Sequence, residues 1–400
     1  MNTRFIQIHA LTSYPAALLN RDDAGFAKRL PFGGVTRTRI SSQCLKRHWR
    51  SFSSEEGLHS LDVEMSVRSR LTFDRFILRP LLADGIREEM AKAVTAALMS
   101  AFLGESPKAK KAKESEEAPS MQTSQITVLG RPELAFLLRE ARALCAEVED
   151  PKKAAGVVKE RYKKETKKNL QALRAGAGLD AAMFGRMVTS DLLARTDAAI
   201  HVAHAFTVHA EESESDYFSA IDDLQQGEDG ELGSGHINSQ ELTSGLYYSY
   251  VVVDLPLLIA NLSGAAAAEA TDADRELAGQ VASRLLRIMA TVSPGAKLGS
   301  TAPYARAHLV MVETGRAQPR SLANAFLKPV ASRPDLVKNA YEALSRHLNE
   351  LDEMYGQSEQ RRLAGIGPVD VIAAAKRVAP GEDGALAALA SWTKAQALEG

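Results

Sequence analysis

VTRTRISSQCLKRHWRSF (residues 35–52) changes its period of hydrophobicity across two serines. Residues 35–40 alternate as a strand does, with Arg37 and Arg39 on one face. Ser41 or Ser42 is placed to cap a helix by accepting an otherwise orphaned amide. Beyond them Leu45, His48, Trp49 and Phe52 recur at helical spacing, while Lys46, Arg47 and Arg50 lie largely away from that stripe. The stretch reads as strand, capped turn and amphipathic helix with a basic outer side.

Upstream, RFIQIHAL (4–11) alternates as a second strand. Between the two, residues 12–34 gather Pro15, Asn20, Asp22, Asp23, Gly25, Pro31, Gly33 and Gly34, a density that predicts a long loop. Long loops in compact domains are usually functional or disordered. Downstream, residues 60–185 read as mainly helical, with apolar repeats at 88–103 and 133–147. Within them ESPKAKKAKESEEAPS (105–120) is too polar to pack, and 152–168, with seven Lys and one Arg, reads as a solvated helix. Strand patterns return at 200–209 and 246–254, bracketing a Gly- and Ser-rich segment, 210–245. A helix follows at 273–292, stopped by Pro294 and Gly295, then a strand at 307–313 and a largely helical remainder.

With the insertions set aside, the order is strand, helix, strand, strand, helix, strand. That is the split βαβ pattern, an α+β fold of the RRM-like (ferredoxin-like) kind. Such a fold hosts many functions and proves none. Tyr247, Tyr248 and Tyr250 read as ordinary strand aromatics rather than an RNA-stacking signature.

Charge is unevenly placed. The first fifty residues hold nine Lys and Arg against two acids, +7, which leaves −8 for the remainder of a chain whose net charge is −1. Residues 210–250 carry ten acids and neither Lys nor Arg. A basic end beside an acidic segment fits a polyanionic partner and self-association. Arg21, Lys28, Arg37, Arg39, Lys46, Arg47 and Arg50 fall within thirty residues, and the Ser41-Ser42 turn is expected to present backbone N–H groups at a helix start. Contacts of that kind hold a nucleic-acid backbone without reading its sequence. Two cysteines, Cys44 and Cys145, fit a reduced, cytoplasmic protein, and no apolar run is long enough to span a membrane.

Signals for catalysis are weaker. His201 and His209 fall on the strand face opposite His204, so the three do not meet at one ion without a bulge. Asp222 and Asp223 offer two carboxylates with no third ligand beside them, and Cys44 sits among packing positions. There is no G-x-x-x-x-G-K, G-x-S-x-G or H-E-x-x-H motif. No cofactor is expected. A metal-dependent nuclease is the principal rival reading, and an enzyme using the Asn20–Gly34 loop as a lid is a third.

LNRDD (19–23), FGG (32–34) and RISSQCLKR (39–47) together resemble the CasC family, the repeated backbone subunits of type I-E CRISPR Cascade complexes. The likeness continues in GRMVTS (185–190), the His204–His209 strand and YFSAIDDL (217–224). It also includes QELTSGLYYSY (240–250), SPGAK (293–297) and SLANAF (321–326).

The resemblance implies an RRM-like palm at 1–59, 186–209 and 246–335. It further implies helical fingers at 60–185 and a thumb hairpin at 210–245, while residues 336–400, which carry no motif of the family, read from their own pattern as a helical C-terminal segment. It implies a non-catalytic subunit of an antiviral ribonucleoprotein, stacking head-to-tail as a helical filament along CRISPR RNA. The guide would pair with target DNA, and the large, small, 5′-handle and hairpin-processing subunits would be further partners. Arg21, Ser41, Gln43 and Lys46 match family residues that contact the RNA backbone. Lys28, Arg37, Arg39, Arg47 and Arg50 are added from charge and placement. Met187 and Phe218 match residues that flank a displaced base, where a thioether or ring can fill the gap. On this reading the acidic thumb meets basic surfaces of the adjacent copy, with Tyr217, Phe218 and Ile221 against bases.

Overall fold

The computed structural model describes residues 3–103, 121–162, 174–186, 196–221 and 234–398. The chain forms two compact units, one of residues 1–60, 201–253 and 279–400, the other of 61–200 and 254–278.

The first unit is built on a mixed sheet. Its strands are β1 (Phe5–Ala17), β2 (Arg29–Phe32), β3 (Val35–Ile40), β7 (Ala205–Thr207), β9 (Ser234–Asp254), β10 (Leu309–Gly315), β11 (Gln360–Gly365) and β12 (Lys376–Arg377). They lie in the order β12-β11-β10-β1-β9-β7-β3-β2. β1 is central, and its residues from Phe5 to Thr12 are all buried, because a strand covered on both faces loses the polar alternation of a solvated one. It runs antiparallel to β10, from Phe5 opposite Gly315 to Leu11 opposite Leu309. One core gathers Leu11, Tyr248, Met311 and Phe326 with Tyr341, Leu344 and Leu348 of the helix Leu336–Tyr355. That helix begins where Asp335 accepts the Lys338 amide and stops at Gly356, whose φ of +80° suits glycine. Tyr247, Tyr248 and Tyr250 are all buried.

The loop expected at 12–34 is shorter than its composition implies. β1 continues through Thr12 and Tyr14 to Ala17, and residues 29–32 form β2. Pro31 is tolerated because β2 is the last strand of the sheet order, where a missing N–H breaks no ladder on its outer side. Gly33 and Gly34, both at positive φ, make the two-residue turn to β3. A Cβ on Gly33 would lie 1.6 Å from the Leu327 carbonyl oxygen, so only glycine fits that close approach.

The strand expected at 200–209 is two short pieces, β6 (Ile200–Val202) and β7, separated at Ala203 and His204. Residues 336–400 are not a purely helical addition. β11 pairs antiparallel with β10, and β12 lies parallel to β11. The helix Ala385–Leu398 meets that edge, with Arg362 over the Trp392 ring at 4.6 Å and Thr314 donating to Gln396 Oε1 at 3.1 Å.

β8 (Glu212–Ile221) pairs with β9 from Glu212 opposite Ser244 to Ile221 opposite Ser234, an antiparallel hairpin. Asp222 and Asp223 lie outside the described residues, as do 105–120 and part of 152–168.

The second unit pairs β4 (Val67–Ser69) with β5 (Thr127–Leu129) and packs the helices Glu88–Leu103, Arg131–Glu147 and Ala154–Arg161 around Phe73, Leu98, Phe102, Leu137 and Leu144. Glu133 accepts the Gly130 amide at 2.9 Å and forms a buried bidentate pair with Arg186, at 2.5 and 2.8 Å. Arg186 thus serves this core, and Met187 lies outside the described residues. Among the described residues no helix is long and apolar enough to cross a membrane.

Candidate nucleic-acid interface

The short polar residues of the Asn20–Asp23 loop shape it, and this frees its arginine. Asn20 Oδ1 accepts the Ser41 amide at 2.9 Å, and its carbonyl accepts the Lys28 amide at 2.9 Å. Asp22 Oδ1 accepts the amides of Ala24 and Phe26, both at 3.0 Å, closing an Asx turn. Arg21 is left exposed.

The helix Ser42–Ser51 starts beside this loop. Ser41 is its cap, with Oγ accepting the Cys44 amide at 3.2 Å. The Ser42 amide donates to His204 Nδ1 at 3.2 Å. The turn therefore does not offer a set of free amides as the sequence implied: those of Ser41, Ser42 and Cys44 are satisfied internally. Ser41 itself is buried, so it shapes the surface rather than lining it.

His204 reaches this point because β3 pairs with β7, Arg39 opposite Phe206 and Ile40 opposite Ala205. Three cations converge on it. Burial, then the charges of Arg39, Lys28 and Lys46, hold its pKa below the usual histidine value. Burial likewise pushes the Cys44 thiol up, against the opposing pull of Arg47 and Lys28, so Cys44 is a packing group and not a poised nucleophile. Gln43 and Arg47 are exposed, and Lys28, Arg39, Lys46 and Arg50 are half-buried.

Distant segments close the same region. The Ala296 amide donates to the Leu18 carbonyl at 2.9 Å, and Lys297 Nζ donates to Gln240 Oε1 at 2.7 Å. Glu241 accepts the Ala27 amide at 2.6 Å and pairs with Arg29, which also donates to Glu211 at 2.5 Å. Two of the hairpin's acids are thus spent on Arg29 at its base. Farther out, Tyr217 and Phe218 are 65% and 41% exposed, large apolar surface on a hairpin.

Arg37 does not belong to this surface. It is fully buried, and its guanidinium donates to the carbonyls of Phe32 (3.2 Å), Thr207 (3.0 Å) and Phe326 (2.9 Å). Alternation put it on the same side as Arg39, but the sheet's edge hairpin is covered there by the 322–327 segment. Arg37→Leu should cost roughly 2–3 kcal/mol in a denaturant titration, from orphaned carbonyls and lost charged donors, while leaving the salt dependence of any RNA affinity unchanged.

Among the described residues, no group of three His, Cys, Asp or Glu side chains is arranged to hold a metal ion. Sequence spacing singles out His204 only as a candidate metal ligand. Its position between Arg39 and Ser42 depends on strand pairing across more than 160 residues, which spacing does not reveal.

The family model described as "CT1975-like protein" matches residues 6–392. No curated protein matches the sequence. A solved chain from a structure titled "CRISPR RNA-guided surveillance complex, pre-nicking" superposes with a TM-score of 0.77 at 26% identity, covering 98% of this chain and 100% of that one. A second, titled "CRISPR RNA-guided surveillance complex", gives a TM-score of 0.67 at 24% identity, covering 98% and 99%, and shares the fold.

Proposed function

Since this chain belongs to the CT1975-like family, we propose that it is a non-catalytic, CRISPR RNA-binding backbone subunit of a type I-E Cascade surveillance complex. The observation that carries the proposal is the convergence of Lys28, Arg39 and Lys46 on His204, beside exposed Arg21, Gln43 and Arg47. Such a surface suits phosphates that follow one another along a strand, and it leaves the bases to be read by pairing.

The sheet order supports an RRM-like palm: with the helices Ser42–Ser51 and Asp272–Thr291 as its two, the strands β1, β7, β9 and β10 lie as β10-β1-β9-β7, the order 4-1-3-2. Residues 60–185, nearly all of them within the second unit, would be the fingers, and the β8–β9 hairpin the thumb. On this reading copies stack head-to-tail along the guide. Each would present Tyr217 and Phe218 to the RNA held by the next, Phe218 and Met187 being the two residues that flank the displaced base. Target DNA would be bound through the guide, and cleavage would fall to a recruited partner.

Purification from the native host, followed by sequencing of bound RNA, tests the proposal. Guide RNAs bearing CRISPR repeat sequence are expected to dominate. Protein free of RNA, or carrying a random sample of cellular transcripts, would contradict it.

A further inference from the structure

His204 is exposed, yet its ring is held from one side. Nδ1 faces two donors, the Ser42 amide at 3.2 Å and Arg39 Nη1 at 3.4 Å. Neither donor can be satisfied by a protonated nitrogen, so Nδ1 carries the lone pair and the ring proton resides on Nε2. Nε2 has no hydrogen-bond partner among the described residues. Burial, then the positive charges of Arg39, Lys28 and Lys46, disfavours a second proton on the ring.

The fold thus spends one ring nitrogen on fixing the imidazole and leaves the other as an outward N–H donor within a cluster of cations. Lys28 and Lys46 act as point charges that concentrate phosphate without orienting it, and Arg39 already donates Nε to the Arg29 carbonyl and turns Nη1 to His204. A fixed N–H adds direction at small entropic cost, because the ring is already immobilised.

We propose that His204 is a further RNA-contacting residue, its Nε2–H donating to a non-bridging phosphate oxygen of the strand held by Lys28, Arg39 and Lys46. This inference rests on the RNA-binding role proposed above.

Two substitutions separate the two nitrogens. His204→Asn keeps an acceptor near the Nδ1 position and loses the outward donor. His204→Gln keeps a donor near the Nε2 position. With full-length protein and a fluorescein-labelled single-stranded RNA of defined sequence, His204→Asn should bind roughly tenfold more weakly, the effect of about one hydrogen bond to a charged group. Its melting temperature should stay at the wild-type value. His204→Gln should bind within about twofold of wild type. Single-stranded DNA of the same sequence should show the same relative loss, since phosphate is common to both.

A His204→Asn protein that binds RNA as tightly as wild type overturns the inference alone. So does a loss shared by both variants and accompanied by a lower melting temperature, which would place the effect at the helix start. A loss on RNA but not on DNA assigns the contact to the ribose hydroxyl and overturns the phosphate assignment. Wild-type protein that fails to bind the RNA at all removes the RNA-binding role itself, a result distinct from the others.

Discussion

Glu313→Ala should lower the stability of the sheet-bearing unit by roughly 3–5 kcal/mol, the usual cost of removing one partner from a buried ionic network. Glu313 is fully buried on β10. Its carboxylate accepts from Arg361 Nε at 2.5 Å and from Arg320 at 2.9 and 3.2 Å, and lies 3.1 Å from His9 Nε2. Arg361 is held in turn by Asp352, and His9 Nδ1 lies 2.9 Å from the Tyr248 hydroxyl, which accepts the Leu322 amide. Deleting the carboxylate removes the shared acid from buried Arg361 and partly exposed Arg320, leaving Asp352 and Glu359 to answer both charges.

The pH dependence follows with a definite sign. Burial alone would raise the Glu313 pKa, but hydrogen bonds and charge from His9 and Arg320 outweigh it and hold the carboxyl well below its ordinary value of 4.5. The unfolded chain therefore takes up this proton first as the pH falls. The stabilisation is present above the ordinary value and is lost as the pH drops below it. Denaturant titrations from neutral pH to about pH 3 should show that loss in wild type and a flatter profile in Glu313→Gln, which has no proton to take up. Equal slopes for the two proteins would assign the acid sensitivity to other carboxylates.

The second large effect is on binding. Lys28→Ala combined with Lys46→Ala removes two of the three cations that converge on His204. If each meets one phosphate of a single strand, the slope of log affinity against log salt should fall by roughly 1.4, at about 0.7 per contact. The weakening should be similar across RNA sequences, because phosphate contacts carry no base information. Both side chains are half-buried and lie outside the core, so the melting temperature should change little. An unchanged slope would mean that the backbone passes elsewhere.

Much of this was legible in the sequence where a local signal sufficed. The change from alternation to helical spacing at Ser41-Ser42 located β3, the cap and the helix, and clustered charge pointed to the surface they build. The misreadings arose where local signals conflict with tertiary context. Pro31, Gly33 and Gly34 look like loop residues, yet an edge hairpin uses all three. Arg37 and Arg39 share one face of a strand, but only the packed 322–327 segment decides that Arg37 is buried. The amides at the helix start look available until Asn20 and His204, remote in sequence, are seen to occupy them. The largest gap was the Glu313 network, whose members His9, Glu313, Arg320, Asp352 and Arg361 carry no common spacing.

The most direct test is an electron cryomicroscopy structure of the full-length chain assembled on CRISPR RNA. The ribose-phosphate strand should run over Arg21, Lys28, Gln43, Lys46 and Arg47, close to the outward edge of His204, with its bases turned away from that surface. An assembly in which these side chains face open solvent while the guide is held elsewhere would contradict the account.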